Sequence, residues 1–273
     1  MTANAPVVVT GAASGIGAAL VDQLRAAGRE VIGLDRTEGP GIVECDLSDP
    51  ASIDAALPQI PAVIGGLANV AGVPGTAPAE TVLGVNVLGP RILTQSLLPR
   101  LTAGSAVVNV ASVAAHRNTA AQEAVEELIV AAAAADIRTW LDAHPADGPA
   151  AYDTSKRVVV DWTARLAGAL IDRGIRALSV SPGPVQTPIL DDFTVSMGKE
   201  SMDRSVATVG RHGRPGEIAS VVAFALSAQA SWLNGIDIPV EGGLLCAREA
   251  SKHPAVDLVG PSDRPQFKGS TSS

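Results

Sequence analysis

Aromatic side chains are scarce in this sequence: three tryptophans, three phenylalanines and one tyrosine, Tyr152, make up 3% of 273 residues. A core with so few rings must be built from Ala, Val, Leu and Ile, which suits buried parallel strands covered by Ala-rich helices. Cysteine is scarcer still. Cys45 and Cys246 stand far apart with no CxxC and no nearby histidine pair, so neither a disulfide framework nor a metal site is indicated and two reduced thiols are expected. There are four lysines, no basic run and a net charge of -8. That balance argues against a nucleic-acid partner, which would need clustered Lys and Arg against phosphate. The opening "MTANAPVVVTG" lacks a basic leader, and its apolar run is too short for a membrane span. The expectation is a cytoplasmic protein with no membrane partner.

What is present points to one large core. With 47% hydrophobic and 18% charged residues the chain can fold as a single domain. Short, continuously apolar runs at 6–11, 30–35, 42–46, 66–72, 106–112, 175–183 and 235–243 alternate with helix-like stretches at 15–27, 80–101, 151–173 and 215–227. Strands apolar on both faces must be covered on both faces. The pattern predicts an α/β protein with a doubly wound parallel sheet of about seven strands, whose ligand lies beyond the strands' carboxyl ends. No repeat or linker divides it, so one domain is expected over 1–246. Two segments depart from the alternation. Residues 117–150 place Val125, Leu128, Ile129, Ala132, Ala133, Ile137, Trp140 and Leu141 at helical spacing, which predicts a helical insertion. Residues 247–273 read as a tail, ending in a disordered "KGSTSS".

After the first strand comes Thr10-Gly11-Ala12-Ala13-Ser14-Gly15-Ile16-Gly17, opening into a helix. Glycines there allow a tight turn and let a pyrophosphate approach the helix N-terminus, where unpaired N–H groups and the helix dipole favour anions. The second strand ends at Asp35, where a carboxylate can accept from both hydroxyls of an adenosine ribose and repel a 2′-phosphate, favouring NAD. Arg36 adjoins it, and Asp46 ends the third strand, placed to meet an adenine edge. Further on, Tyr152 and Lys156 stand four residues apart in a helical stretch, hence on one face. A cation beside a phenol favours the phenolate, so this pair can move a proton near neutral pH.

In order along the chain, the TGxxxGIG turn, Asp46, Asn69-Val70-Ala71-Gly72, Asn86, Ser112, Tyr152-x3-Lys156 and Pro182-Gly183 with Thr187 resemble the short-chain dehydrogenase/reductase family over about residues 6–243. One motif departs: Val70 stands where the family has a second asparagine, which puts local polar pairing at that strand end in question. The resemblance implies a single-domain Rossmann fold and a catalytic set of Asn86, Ser112, Tyr152 and Lys156. In that set Ser112 orients the substrate oxygen, Lys156 also binds the nicotinamide ribose, and Asn86 holds a water leading from Lys156. It implies NAD contacts at Gly11, Ser14, Gly15, Ile16, Gly17, Asp35, Arg36, Asp46, Leu47, Asn69, Ala71 and Gly72. Tyr152, Lys156, Pro182, Gly183, Val185 and Thr187 complete that set.

Substrate character is read from the segment after Thr187, where Ile189, Leu190, Phe193, Val195, Met197 and Met202 lie on a stretch too irregular for a core helix. In the family this segment closes over the substrate, and its apolar, Met-rich content suits a bulky hydrophobic alcohol or ketone. The expected pocket is Ser112, Ala114, Tyr152, Pro184, Ile189, Leu190, Phe193 and Met197. Ser112 and Tyr152 are unusually far apart, and with "SVAAH" after the serine strand this resembles the bacterial 3α-hydroxysteroid dehydrogenase/carbonyl reductase branch. Hydroxysteroids, aryl carbinols and amino alcohols are the expected substrate types. The alternatives are small polar substrates, or an NAD-sensing regulator without catalysis, which would typically lose the tyrosine or the lysine. A homo-oligomer is expected, a dimer or tetramer, with the insertion either blocking or replacing the family's usual contact.

Overall fold

In the computed structural model, which describes residues 5–252, one parallel seven-stranded sheet runs in the order β3-β2-β1-β4-β5-β6-β7. Its strands are β1 (Val7–Thr10), β2 (Val31–Asp35), β3 (Ile42–Glu44), β4 (Ile64–Asn69), β5 (Leu101–Val110), β6 (Arg176–Pro182) and β7 (Asp237–Val240). The apolar runs located every strand. The β5 ladder starts five residues before the run at 106–112, because Thr102, Ala103 and Gly104 extend it as an exposed edge beyond a register shift against β4.

The helices are α1 (Gly15–Ala26), α2 (Pro50–Ala56), α3 (Ala79–Leu83), α4 (Gly89–Leu97), α5 (Gln122–Val130), α6 (Ala134–Ala143) and α7 (Gly148–Leu170), then α8 (Leu190–Met197), α9 (Lys199–Val209), α10 (Pro215–Leu226) and α11 (Leu244–Ala250). A π-helical turn, Gly84–Leu88, joins α3 to α4, so the helical stretch expected at 80–101 is present with an extra residue in one turn. Successive residues of each strand face opposite layers. Val7 and Val9 of β1 pack with Leu20 and Leu24 of α1 and Ile218 and Val222 of α10. Val8, between them, packs with Leu93 and Leu97 of α4 and Leu170 of α7. Burial of side chains of this size contributes about 1.5–3 kcal/mol each, which fixes the strand register as well as the layers.

Three sequence expectations change. The insertion is two helices, not one: the chain breaks at Ala131–Ala133, where Ala132 and Ala133 are exposed and both backbone N–H groups donate to Asp136 Oδ2, at 2.7 and 2.9 Å. Residues after Thr187 are not irregular but form α8 and α9, separated by Gly198 at φ +81°. The tail boundary at 247 cuts through α11, and "KGSTSS" lies outside the described residues.

The insertion is sewn along α7. Asp153 pairs with Arg117, Thr154 donates to Asn118 Oδ1 at 2.9 Å, Asp161 accepts from Gln122 at 3.2 Å, and Arg165 pairs with Glu126. Beneath that seam Val125, Leu128, Ile137 and Trp140 join Leu83, Leu88 and Tyr152 in a third apolar cluster. Trp140 is 5% exposed and its indole N–H donates to the Ala124 carbonyl at 2.8 Å, so it serves the core and not the pocket rim.

Candidate active site

Strand order reverses between β1 and β4, and a cavity of about 440 Å³ opens at the carboxyl ends of these strands. A crevice at such a reversal is where doubly wound sheets take their ligands. The glycine turn forms one end. Gly11 and Gly15 sit at φ +69° and +55°, and a Cβ on Gly17 would stand 2.0 Å from the Gly11 carbonyl oxygen, so helix α1 can start this close to β1 only without side chains. Ser14 precedes α1 in extended conformation without a side-chain cap, and no acidic residue occupies the first turn. The first N–H groups of α1 therefore face the cavity ready for an anion. Thr10 Oγ1 accepts from the N–H groups of Val70 and Ala71, at 2.9 and 3.0 Å, and ties the ends of β1 and β4 together.

Asp35 lines the cavity at the end of β2, its carboxylate accepting from Ala13 N at 3.0 Å and Thr37 N at 2.9 Å. Asp46 is held in a tight turn by Ser48, whose N–H and hydroxyl donate to Oδ1 at 2.8 and 2.7 Å. Among the residues expected to meet a dinucleotide, all line this one cavity except Asn69. Asn69 is buried on the far side of the strand end, where its Nδ2 donates to Asn109 Oδ1 at 2.8 Å and Thr94 Oγ1 at 3.0 Å. Those bonds and Thr10 pair part of this strand end, while Asn69 Oδ1 is buried without a hydrogen-bond partner and Val70 packs against the apolar layer. The residues present therefore fit a dinucleotide: a cradle that a Cβ would fill, unpaired helix N–H groups, and an oriented carboxylate at the ribose end.

The reactive groups meet at the other end. Helix α7, capped by Asp147 Oδ1 on Ala150 N at 2.8 Å, carries Tyr152 and Lys156 in its first turns on one face. Lys156 Nζ lies 5.5 Å from the Tyr152 ring centroid and donates to the Val110 carbonyl at 3.2 Å. Ser112, just past the end of β5, lines the cavity with the phenol, and its Oγ accepts from Ala114 N at 3.1 Å. Asn86 sits in the π-helical turn, a local distortion common at functional sites. Its carboxamide accepts from Val73 N at 2.9 Å and donates to Val73 O and Ser155 Oγ, at 3.0 and 3.2 Å. A Cβ on Gly72 would stand 3.1 Å from Asn86 Oδ1 and 3.5 Å from Lys156 Nζ, so a bare backbone there lets these two groups converge. Asn86 is behind the cavity wall, not on it.

Burial dominates the ionisation of both groups. It pushes the Tyr152 phenol up to about 12, against smaller downward pulls from the Ser112 hydroxyl and the Arg117 charge and an upward push from Asp153. It brings the Lys156 ammonium down to about 8. The expected lowering of the phenol by Lys156 is thus not met in the chain alone, because the ammonium approaches the ring and a backbone carbonyl while desolvation outweighs it.

The outer wall is apolar. Phe193 of α8 meets the Tyr152 ring edge-on, centroids 5.3 Å apart, and Pro184 and Ile189 line the same space. Ala114 and Leu190 do not: Ala114 turns into the cluster under the insertion, 1% exposed, and Leu190, the first residue of α8, is half-buried off the cavity. Val195 is 77% exposed, and the Met197 side chain lies outside the described residues. Sequence reading missed Val73, Thr81, Val85, Arg117, Leu244 and Arg248, all of which line the cavity. Only the long separation of Ser112 from Tyr152 pointed toward Arg117.

The short chain dehydrogenase family model matches residues 5–124, and the model described as enoyl-(acyl carrier protein) reductase matches residues 141–245. The gap between them falls on the insertion. A coniferyl-alcohol dehydrogenase of Pseudomonas sp. strain HR199 is 38% identical over 246 residues, 88% of this chain and 96% of that one. A 3-alpha-hydroxysteroid dehydrogenase/carbonyl reductase of Comamonas testosteroni is 30% identical over 87% of this chain and 95% of that protein. Among solved structures, the 3-alpha-hydroxysteroid dehydrogenase from Pseudomonas sp. B-0831 complexed with NADH superposes with a TM-score of 0.80, at 35% identity, over 91% of this chain and all of that one. Matched on both sides of its insertion, and by relatives over nearly their full length, the chain belongs to the short-chain dehydrogenase family.

Proposed function

We propose that this chain, an NAD-dependent oxidoreductase of the short-chain family, oxidises a bulky, apolar secondary alcohol and reduces the matching ketone, with Tyr152 as general base and acid. The observation that carries this is the meeting of Ser112, Tyr152 and Lys156 with the glycine turn on a single cavity that Phe193, Ile189 and Pro184 also line. A small polar substrate would leave those apolar side chains wet. NAD, when bound between Gly11–Gly17 and Thr187, supplies the hydride acceptor and a positively charged ring close to the phenol. Ser112 then holds the substrate hydroxyl oxygen, and the phenolate of Tyr152 takes the hydroxyl proton as the carbinol C–H bond breaks with its electron pair. In reduction Tyr152 returns that proton to the carbonyl oxygen. Asp35, at the ribose end, is proposed to select NAD over NADP, and Asn86 to lead protons from Lys156 toward solvent.

A hydroxysteroid and coniferyl alcohol, named for two relatives, both carry rings, the first a secondary and the second a primary alcohol. Hydroxysteroids, aryl carbinols and amino alcohols are the substrate types to try, read as NADH absorbance. Turnover on the ring-bearing alcohols, with little on short sugars, is expected; activity confined to small polar alcohols contradicts the substrate class, and none on any alcohol contradicts the reaction. A cytoplasmic homo-oligomer completes the proposal. Trp232, 97% exposed, and Phe224 and Ile236, both above 40%, support association through the α10–β7 side, since a large ring left in water is costly. No helix of the described residues is long and apolar enough to cross a membrane.

A further inference from the structure

We propose that Arg117, forked onto Asp153 and lining the cavity with the phenol, is a positioning residue for proton transfer at Tyr152. The inference rests on the proton-transfer role assigned to Tyr152 above. Arg117 ends the 3-10 turn Val113–Arg117 that follows Ser112, and it lines the same cavity as the phenol. Its Nε donates to Asp153 Oδ2 at 3.0 Å and its Nη2 to Oδ1 at 2.5 Å, a bidentate fork that fixes the plane of the guanidinium. Asp153 is the next residue after Tyr152 on α7. The two side chains are 32% and 17% exposed, so their fields are only partly screened by water.

A neutral pair still exerts a field on a neighbour when its two ends lie at different distances. Burial is the largest influence on the phenol, and among the charges Arg117 pulls its ionisation down while Asp153 pushes it up. On α7 itself Lys156 stands over the ring. Other charged groups on elements packed against α7 are engaged elsewhere: Glu80 of α3 by Arg138, Glu126 of α5 by Arg165, and Asp192 of α8 by the Thr76 hydroxyl. Arg176 of β6 is held by carbonyls at the opposite end of its strand. The clamp also joins the insertion to chemistry. Arg117 and Asn118, where the insertion leaves the sheet, grip Asp153 and Thr154, the two residues that follow Tyr152.

Because Tyr152 is the chain's single tyrosine, the ultraviolet absorbance of tyrosinate reports its ionisation and no other. With the fold followed by circular dichroism and NADH binding by fluorescence, R117Q is expected to move that titration to higher pH and D153N to lower pH, each on the order of one unit. R117K, which keeps the charge and loses the fork, falls between R117Q and the unaltered chain. The rising limb of kcat/KM against pH in alcohol oxidation moves the same way, so R117Q is about tenfold slower on that limb. Shifts in one common direction, or a lowered kcat with both profiles in place, overturn the inference. Should R117Q fail to fold, D153N decides: a titration that does not move down is the contrary result. Y152F separates the two levels. Turnover persisting in Y152F removes the proton-transfer role itself, whereas an inactive Y152F beside unmoved R117Q and D153N profiles removes only the action of Arg117 and Asp153.

Discussion

Lys156 is a charge held where charge is costly. Its ordinary value of 10.5 falls to about 8 on burial, so between these values the unfolded chain binds more protons than the native one. Stability from this group therefore rises with pH across that window, and the full cost, on the order of 3 kcal/mol, applies below about pH 8. Lys156→Met is expected to raise the melting temperature at pH 7, with the gain fading as pH climbs toward 10.5, and to lose turnover; thermal scans across that range check it. A variant that melts no higher than the parent at pH 7 contradicts the assigned cost. At the cofactor end, Asp35→Ala is expected to lower kcat/KM with NAD by roughly tenfold and to raise relative use of NADP, because the carboxylate meant for a ribose diol is gone. Parallel assays with the two cofactors read the ratio. Tyr152, Lys156, Ser112 and Asp35 were legible because the sequence places each at a helix face or strand end. Arg248 and Leu244 were not, since they reach the cavity from a helix that only the folded chain brings against α9. Asn69 lies off the cavity lining, its amide turned to Thr94 and Asn109.

At the scale of elements, the glycine turn is the tightest constraint. A methyl on Gly17 would meet the Gly11 carbonyl oxygen at 2.0 Å and its carbon at 2.6 Å, both backbone atoms that no rotamer change can move. Gly17→Ala must open the turn, and NADH affinity is expected to fall by about a hundredfold with the helical content retained. Fluorescence titration with circular dichroism checks both halves. Unchanged affinity would show that the turn does not hold the cofactor. The seven strands and the helices α1, α7 and α10 could be read beforehand from continuous apolar runs and long amphipathic stretches. Helices α8 and α9 could not. Only Met202 and Ser205 are buried on α9, its first half is otherwise polar or charged, and Val206 and Val209 are only half-buried, so its apolar stripe is weak in the sequence. Helix α2 was overlooked as too short, although Asp49 with Pro50 after it is a readable start, and Asp49 Oδ1 does accept from Ala51 N at 2.9 Å.

For the molecule as a whole, the insertion covers one flank of α7 with the chain's own α5, and the exposed rings of Phe224 and Trp232 lie on α10 and in the segment after it. Light scattering behind size exclusion is expected to give a mass at least twice 27.6 kDa. Trp232→Glu should return it toward one chain, because a charge replaces the ring at the contact; a monomeric parent contradicts the assembly. The insertion's extent was legible as an interruption of the alternating pattern, but its division into two helices and its seam along α7 depend on pairings across about forty residues that spacing does not encode. Everything said of activity converges on one hydroxyl. The most direct measurement is NADH formation by Tyr152→Phe with a ring-bearing alcohol, alongside NADH binding by the same protein. Turnover reduced roughly a thousandfold with binding intact is the predicted result, and undiminished turnover would contradict the account.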